Sequence, residues 1–212
     1  LKFDVEGVEE VCRKFFGTLY NTYSFFALYA NVDGFTGEEK QIPIAERPEI
    51  DRWILSLLNS LIKEVTEQYE NYEPTRVGRA IQDFVCENLS NWYVRLNRKR
   101  FWGGSLDNDK LAAYQTLYTC LQVVSKLMAP IAPFYADQLY RDLTNGESVH
   151  LAQFPICDTS LINIHLEECM QLAQQSSSMI LALRRKAEKK VRQPLQKAVI
   201  PVPDQKTLEE LQ

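Results

Sequence analysis

Along most of this 212-residue chain the apolar residues recur at intervals of three and four, the spacing that gathers them on one side of an α-helix. Val8, Val11, Phe15, Leu19, Phe26 and Ala30 form the first stripe. Asp33-Gly34 and Gly37 interrupt it and predict a loop. Pro48 opens a second run: Ile50, Trp53, Ile54, Leu57, Leu58, Leu61, Ile62 and Val65, with Tyr69 near its end. Pro74 suits the first turn of a third helix, where its missing N–H is no loss. That helix carries Val77, Ile81, Phe84, Val85, Leu89, Trp92 and Leu96 to a Gly103-Gly104 stop. A fourth stripe covers residues 109–128, and Pro130 and Pro133 separate it from a short fifth helix at 134–143. Helices joined by short loops run antiparallel to their neighbours. The spacing therefore predicts an all-α fold, an antiparallel helical bundle.

Asn145-Gly146 closes this section. Ser148 to Pro155 reads as an extended crossing to a second part, which holds one long helix over residues 161–190. Residues 197–202 alternate like a short strand, and Asp204 is placed to cap a further helix. The expected organisation is a bundle domain at 1–147 and a small α+β C-terminal extension at 148–212. No internal repeat or low-complexity tract is present.

With 45% hydrophobic and 11% aromatic residues the chain can fill a core, which excludes disorder over most of its length. No apolar run approaches the roughly 18 residues of a membrane span. The first residues, Leu-Lys-Phe-Asp-Val-Glu, lack the apolar stretch of a signal peptide. The chain opens without Met and stops inside a helix-like pattern, so it is expected to be part of a longer protein. Cys12, Cys86, Cys120, Cys157 and Cys169 are odd in number and include no C-x-x-C pair. They read as reduced, buried thiols of a cytoplasmic protein rather than disulfides or a metal site.

No catalytic constellation is expected. The only histidines are His150 and His165. His165 lies four residues before Cys169 on a helix, which suits a surface or boundary histidine better than a catalytic dyad. H-E-x-x-H, G-x-x-x-x-G-K-[ST] and G-x-G-x-x-G are missing from the sequence. Adjacent acids such as Glu9-Glu10 and Glu167-Glu168 point apart on a helix and form solvated faces.

Charge is distributed unevenly. The net value is −4, yet Arg95, Arg98, Lys99 and Arg100 stand with no acid between Trp92 and Trp102. Arg184, Arg185, Lys186, Lys189, Lys190, Arg192 and Lys197 face Glu188 alone. An acidic body can still hold a polyanion at such clusters, because binding responds to the local field. On an ideal helical wheel Arg95, Lys99 and Trp102 continue the stripe of Trp92 and Leu96, so the buried face is expected to turn cationic in its last two turns. Two readings stay open at this level. Arg and Lys can contact phosphates while Trp or Tyr packs on sugar or base. Alternatively, the cations offset the helix dipole and the tryptophans belong to the core.

Asp51-Arg52-Trp53-Ile54-Leu55-Ser56, then Asn88-Leu89-Ser90-Asn91-Trp92-Tyr93-Val94-Arg95 and Arg98-Lys99-Arg100-Phe101-Trp102, resemble the anticodon-binding domain of isoleucyl-tRNA synthetases. Asn21-Thr22-Tyr23-Ser24-Phe25-Phe26 is similar to the first helix of that domain, and Val191-Arg192-Gln193-Pro194-Leu195 to its downstream VRQPL segment. The D-R-W-I-L-S element is shared with valyl and leucyl enzymes, so the same domain of either remains an alternative, as does a helical protein-interaction scaffold. The resemblance implies a bundle of the class I synthetase type that binds tRNA(Ile) beside the catalytic domain of the same polypeptide. No DNA or membrane partner is implied. ATP and Mg are implied for the complete enzyme, whose HIGH and KMSKS motifs do not occur here, so the chain itself is expected to lack an active site. The resemblance further implies backbone contacts from Arg95, Arg98, Lys99 and Arg100. It implies packing or stacking by Trp92 and Trp102, and secondary contacts from Lys190, Arg192 and Gln193. Asn21 and Tyr23 match its first-helix motif without an assigned contact.

Overall fold

The computed structural model describes residues 4–197 and residue 199. Helix α1 covers residues 5–33 as Val5–Val11, a π-helical Cys12–Phe16 and Gly17–Asp33. The Asp4 carboxylate caps it by accepting from the Glu6 N–H, and Gly34 ends it at φ 71°, a left-handed conformation that glycine adopts without strain. Helix α2 is Glu49–Glu70. Helix α3 covers residues 74–101 as Pro74–Asp83, a π-helical Phe84–Val94 and Arg95–Phe101. Helix α4 is Asn108–Met128, capped by Asp107, whose carboxylate accepts from the Lys110 N–H at 2.8 Å. Helix α5 is Pro133–Thr144 and α6 is Ile164–Lys186.

The all-α fold is as expected from the spacing, and the described residues contain no strand. The strand expected at 197–202 and the Asp204-capped helix lie largely outside the described residues. No described helix is long and apolar enough to cross a membrane. The described residues up to Ile162 form one compact unit, and those from Asn163 onward form another. The segment after α5, read from the sequence as a crossing, lies on the first unit. Asp137 accepts from the Ser148 hydroxyl at 2.6 Å and the Val149 N–H at 2.9 Å, and Asn59 accepts from the Asp158 N–H at 2.9 Å.

The core of the first unit joins Trp53, Ile54 and Leu58 of α2 to Val77, Ile81, Val85 and Leu89 of α3, and to Leu117 and Leu121 of α4. Helix α1 contributes from Phe15 onward. Val8 and Val11, expected in its stripe, are instead exposed. Of the thiols expected to be buried only Cys120 is, and Cys12 is exposed.

The connection between α1 and α2 has little regular structure, and α4 holds it in place. Arg47, buried, donates to Thr116 Oγ1 at 2.9 Å and to the Ile42 carbonyl at 3.0 Å. Gln115 Oε1 accepts from Arg47 and from the Ile42 N–H. Phe35, on the same connection, stacks on Tyr114 with ring centroids 5.2 Å apart.

The C-terminal end of α1 is tied to α4 by charge. Asp33 accepts from Lys110 Nζ and from the Tyr114 hydroxyl, each at 2.5 Å. Burial favours the neutral acid, but these two donors outweigh it and hold the Asp33 carboxyl below its ordinary value. A lowered folded-state value contributes stability that is complete at neutral pH and is lost as the carboxylate protonates. Asp33→Asn is expected to cost about 2 kcal/mol at pH 7. In urea titrations across pH, the gap between parent and variant should close below about pH 4. A gap that stayed constant down to pH 2.5 would show that Asp33 acts by packing alone.

Candidate nucleic-acid interface

Helix α3 is not a regular α-helix throughout. Through Phe84–Val94 the N–H groups reach back five residues instead of four, as the Arg95 N–H does to the Ser90 carbonyl. Each such turn holds more residues than an α-turn, so the side-chain register drifts. Val77 and Ile81 before this stretch, Val85, Leu89 and Tyr93 within it, and Asn97 and Phe101 after it are all buried, at four-residue intervals. At 3.6 residues per turn each four-residue step advances about 40°, so this series would wind off the core; the wider turns hold it there. This corrects the expectation of a buried stripe that turns cationic. Leu96, assigned to that stripe, is 55% exposed, and the buried face continues on other residues to the helix end.

A charged network anchors this end of α3. Asp51 sits in the first turn of α2, where a carboxylate suits the helix dipole, and its side chain is 0% exposed. Arg100 grips it with both ends of the guanidinium, Nη1 to Oδ1 at 2.7 Å and Nη2 to Oδ2 at 2.9 Å. The Tyr93 hydroxyl donates to Asp51 Oδ1 at 2.7 Å. Arg100 also donates to Asn97 Oδ1, to Asp109 Oδ2 and to the Asp109 carbonyl at 2.8–3.0 Å. Every N–H donor of Arg100 is thereby engaged inside the protein. Burial opposes its charge, but Asp51 more than compensates and raises its value further. Burial and the neighbouring Asp51 push the Tyr93 phenol well above its ordinary range.

The expected site residues fall into three groups. Arg95, Arg98 and Lys99 are exposed on the last turns of α3, and no ion pair engages them among the described residues. Trp92 is half-buried, and Trp102 at the end of the helix is 52% exposed. Gly103 and Gly104, at φ 66° and 77°, turn the chain away immediately afterwards, and Lys110 Nζ donates to the Gly103 carbonyl at 3.2 Å. Arg100 stands apart: expected at the phosphate backbone, it lies beneath this surface with its donors satisfied. In the second unit Lys190, Arg192 and Gln193 are exposed on a turn beyond α6. Arg184 organises that turn by donating to the Val191 and Gln193 carbonyls.

Reading the sequence missed Asp51, Tyr93, Asn97 and Asp109 as members of one network. The spacing of Tyr93, Asn97 and Phe101 at four-residue intervals was the available signal.

The fold is thus an all-α bundle with an exposed basic helix end. The family model described as the anticodon-binding domain of tRNA ligase matches residues 51–199, and the chain belongs to that family. It is 71% identical over 205 residues to an isoleucine–tRNA ligase of Porphyromonas gingivalis, covering 96% of this chain and 18% of that protein. It is 67% identical over 211 residues to that of Bacteroides thetaiotaomicron, covering 97% and 18%. Against that of Cytophaga hutchinsonii it is 59% identical over 208 residues, covering 95% and 19%. The chain thus spans about a fifth of the length of the curated relatives it matches.

Arg100 and Lys99 are neighbours with opposite structural roles. Arg100→Ala leaves the Asp51 carboxylate buried without its partner and is expected to destabilise the fold by about 3–5 kcal/mol. Arg100→Lys loses the two-pronged grip and should recover only part of this. Lys99→Ala should stay within about 0.5 kcal/mol of the parent. Urea unfolding of the three variants checks the order, and equal stability of Arg100→Ala and Lys99→Ala would refute the anchoring role.

Proposed function

We propose that this chain is the part of an isoleucine–tRNA ligase that holds the anticodon stem-loop of tRNA(Ile). Arg95, Arg98 and Lys99 contact phosphates, and Trp92 and Trp102 pack on sugar or base. Arg100 holds the helix end against α2 from beneath. Lys190, Arg192 and Gln193 add contacts from the second unit. The remainder of the polypeptide, in the cytoplasm, joins isoleucine to the tRNA with ATP and Mg2+.

One observation carries this reading. Three exposed cations without ion-pair partners among the described residues stand beside an exposed tryptophan, on a helix end locked by a buried carboxylate. Cations held this way meet a phosphate chain with little loss of backbone freedom. The likeness to isoleucine–tRNA ligases over nearly the whole chain supports tRNA(Ile) as the ligand.

Binding of tRNA(Ile) should weaken with salt, since each phosphate contact releases counterions. The Arg95→Ala, Arg98→Ala, Lys99→Ala triple variant should fold like the parent. Its slope of log affinity against log salt should be shallower by about 2 to 3. An unchanged slope would reduce the basic helix end to solvated surface. Competition with tRNA(Val) and tRNA(Leu) tests the specificity, and preference for either would reassign the domain to the corresponding ligase.

A further inference from the structure

Trp102 is half exposed, yet the backbone on either side of it is pinned to the bundle. On one side stands Phe101, fully buried, with ring centroids 5.2 Å from Phe25 and 5.1 Å from Tyr114. On the other stands Gly103, whose carbonyl accepts from Lys110 Nζ at 3.2 Å. Over residues 103–106 the only other hydrogen bond among the described residues is local, from the Asp107 N–H to the Ser105 carbonyl. These four residues are exposed, so the turn hangs from the bundle by a single ammonium group.

That ammonium is itself buried: Lys110 is 3% exposed. A buried ammonium is costly unless paired, and Asp33 Oδ2 pairs it at 2.5 Å. The pairing offsets a cost that an apolar side chain at the same position would never incur. What the ammonium adds is a donor that reaches the Gly103 carbonyl. The same cluster serves the other side of Trp102. Tyr114, which donates to Asp33 Oδ2 at 2.5 Å, is also the residue that packs on the Phe101 ring. Side chains of α1 and α4 therefore fix the backbone on both sides of a tryptophan that belongs to neither helix.

We infer that Lys110 is a positioning residue for the RNA: by holding the Gly103 carbonyl beside Asp33 and Tyr114 it sets the direction in which Trp102 meets the nucleic acid, without touching the nucleic acid itself. The inference rests on the proposed RNA reading of this surface. It separates Lys110 from the exposed cations of α3. Arg95, Arg98 and Lys99 act through charge at the surface, whereas the charge of Lys110 is neutralised by Asp33 and its effect is order. A ring fixed before binding loses less freedom when a sugar or base packs on it.

The test is the affinity of the complete polypeptide for tRNA(Ile) in the double variant Asp33→Asn, Lys110→Met. This variant keeps the net charge, removes both members of the ion pair together and leaves an amide oxygen for the Tyr114 hydroxyl. Affinity should fall about fivefold, the ordering cost of one side chain. The slope of log affinity against log salt should not change, because no phosphate contact is lost. In a Trp102→Ala background the same two changes should cost less than about twofold, and in a Lys99→Ala background the full amount. A loss of equal size in the Trp102→Ala background would make Lys110 a support of the bundle alone and overturn the inference. A shallower slope would mean that Lys110 meets phosphate directly, and would overturn it too. Gly103→Pro reaches the same turn without altering the bundle, since the ring holds φ near roughly −65° and carries the carbonyl away from Lys110. It should reproduce the loss and its dependence on Trp102, and full affinity in this variant would also refute the inference. A parent that does not bind tRNA would strike the RNA reading and this inference together, whereas equal losses across backgrounds in a parent that binds strike this inference alone.

Discussion

A buried carboxylate governs this bundle. Asp51 is removed from water in the first turn of α2, and an ionised carboxylate in that position requires partners. Arg100 and Tyr93 supply them, and both come from α3. Asn97 and Asp109 then orient Arg100 from two further directions. The arrangement ties the start of α2, the end of α3 and the start of α4 at one point. A fixed helix end and a fixed surface beyond it are the same structural fact.

Polar anchoring recurs at other places where regular structure gives out. Asp33 joins the end of α1 to Lys110 and Tyr114. Arg47 fastens the connection before α2 to Gln115 and Thr116. Asp137 holds the segment after α5. The apolar core brings the helices together, and these local bonds decide how each connection lies on them. Burial makes such bonds demanding, because an unmatched polar group would cost more than the bond contributes.

Much of this was legible in the amino-acid order. Pro48, Pro74 and Pro133 mark the starts of helices, and Gly34 and Gly103-Gly104 mark ends, because backbone geometry there depends on single residues. The cation-rich run at 95–100 was also plain. Its facing was not, because a wheel drawn at 3.6 residues per turn presumes a regular helix, and the widened Phe84–Val94 stretch breaks that presumption without any proline or glycine to announce it. Nor could the sequence separate Arg100 from Lys99. That distinction depends on Asp51, forty-nine positions away, and on how two helices meet. Val8 and Val11 show the converse limit: their spacing continues the apolar stripe, yet both are exposed.

The widened stretch of α3 also limits what can be transplanted. The Trp92–Trp102 segment owes its orientation to the eleven residues that precede and overlap it, not to its own composition. Grafted onto a straight helix, the same letters would turn Leu96 inward and roll Tyr93 and Phe101 away from any core. Shortening Phe84–Val94 by a residue would have a similar effect, moving every later side chain around the axis. Length within this stretch is therefore as much a part of the motif as the identities of its tryptophans and arginines.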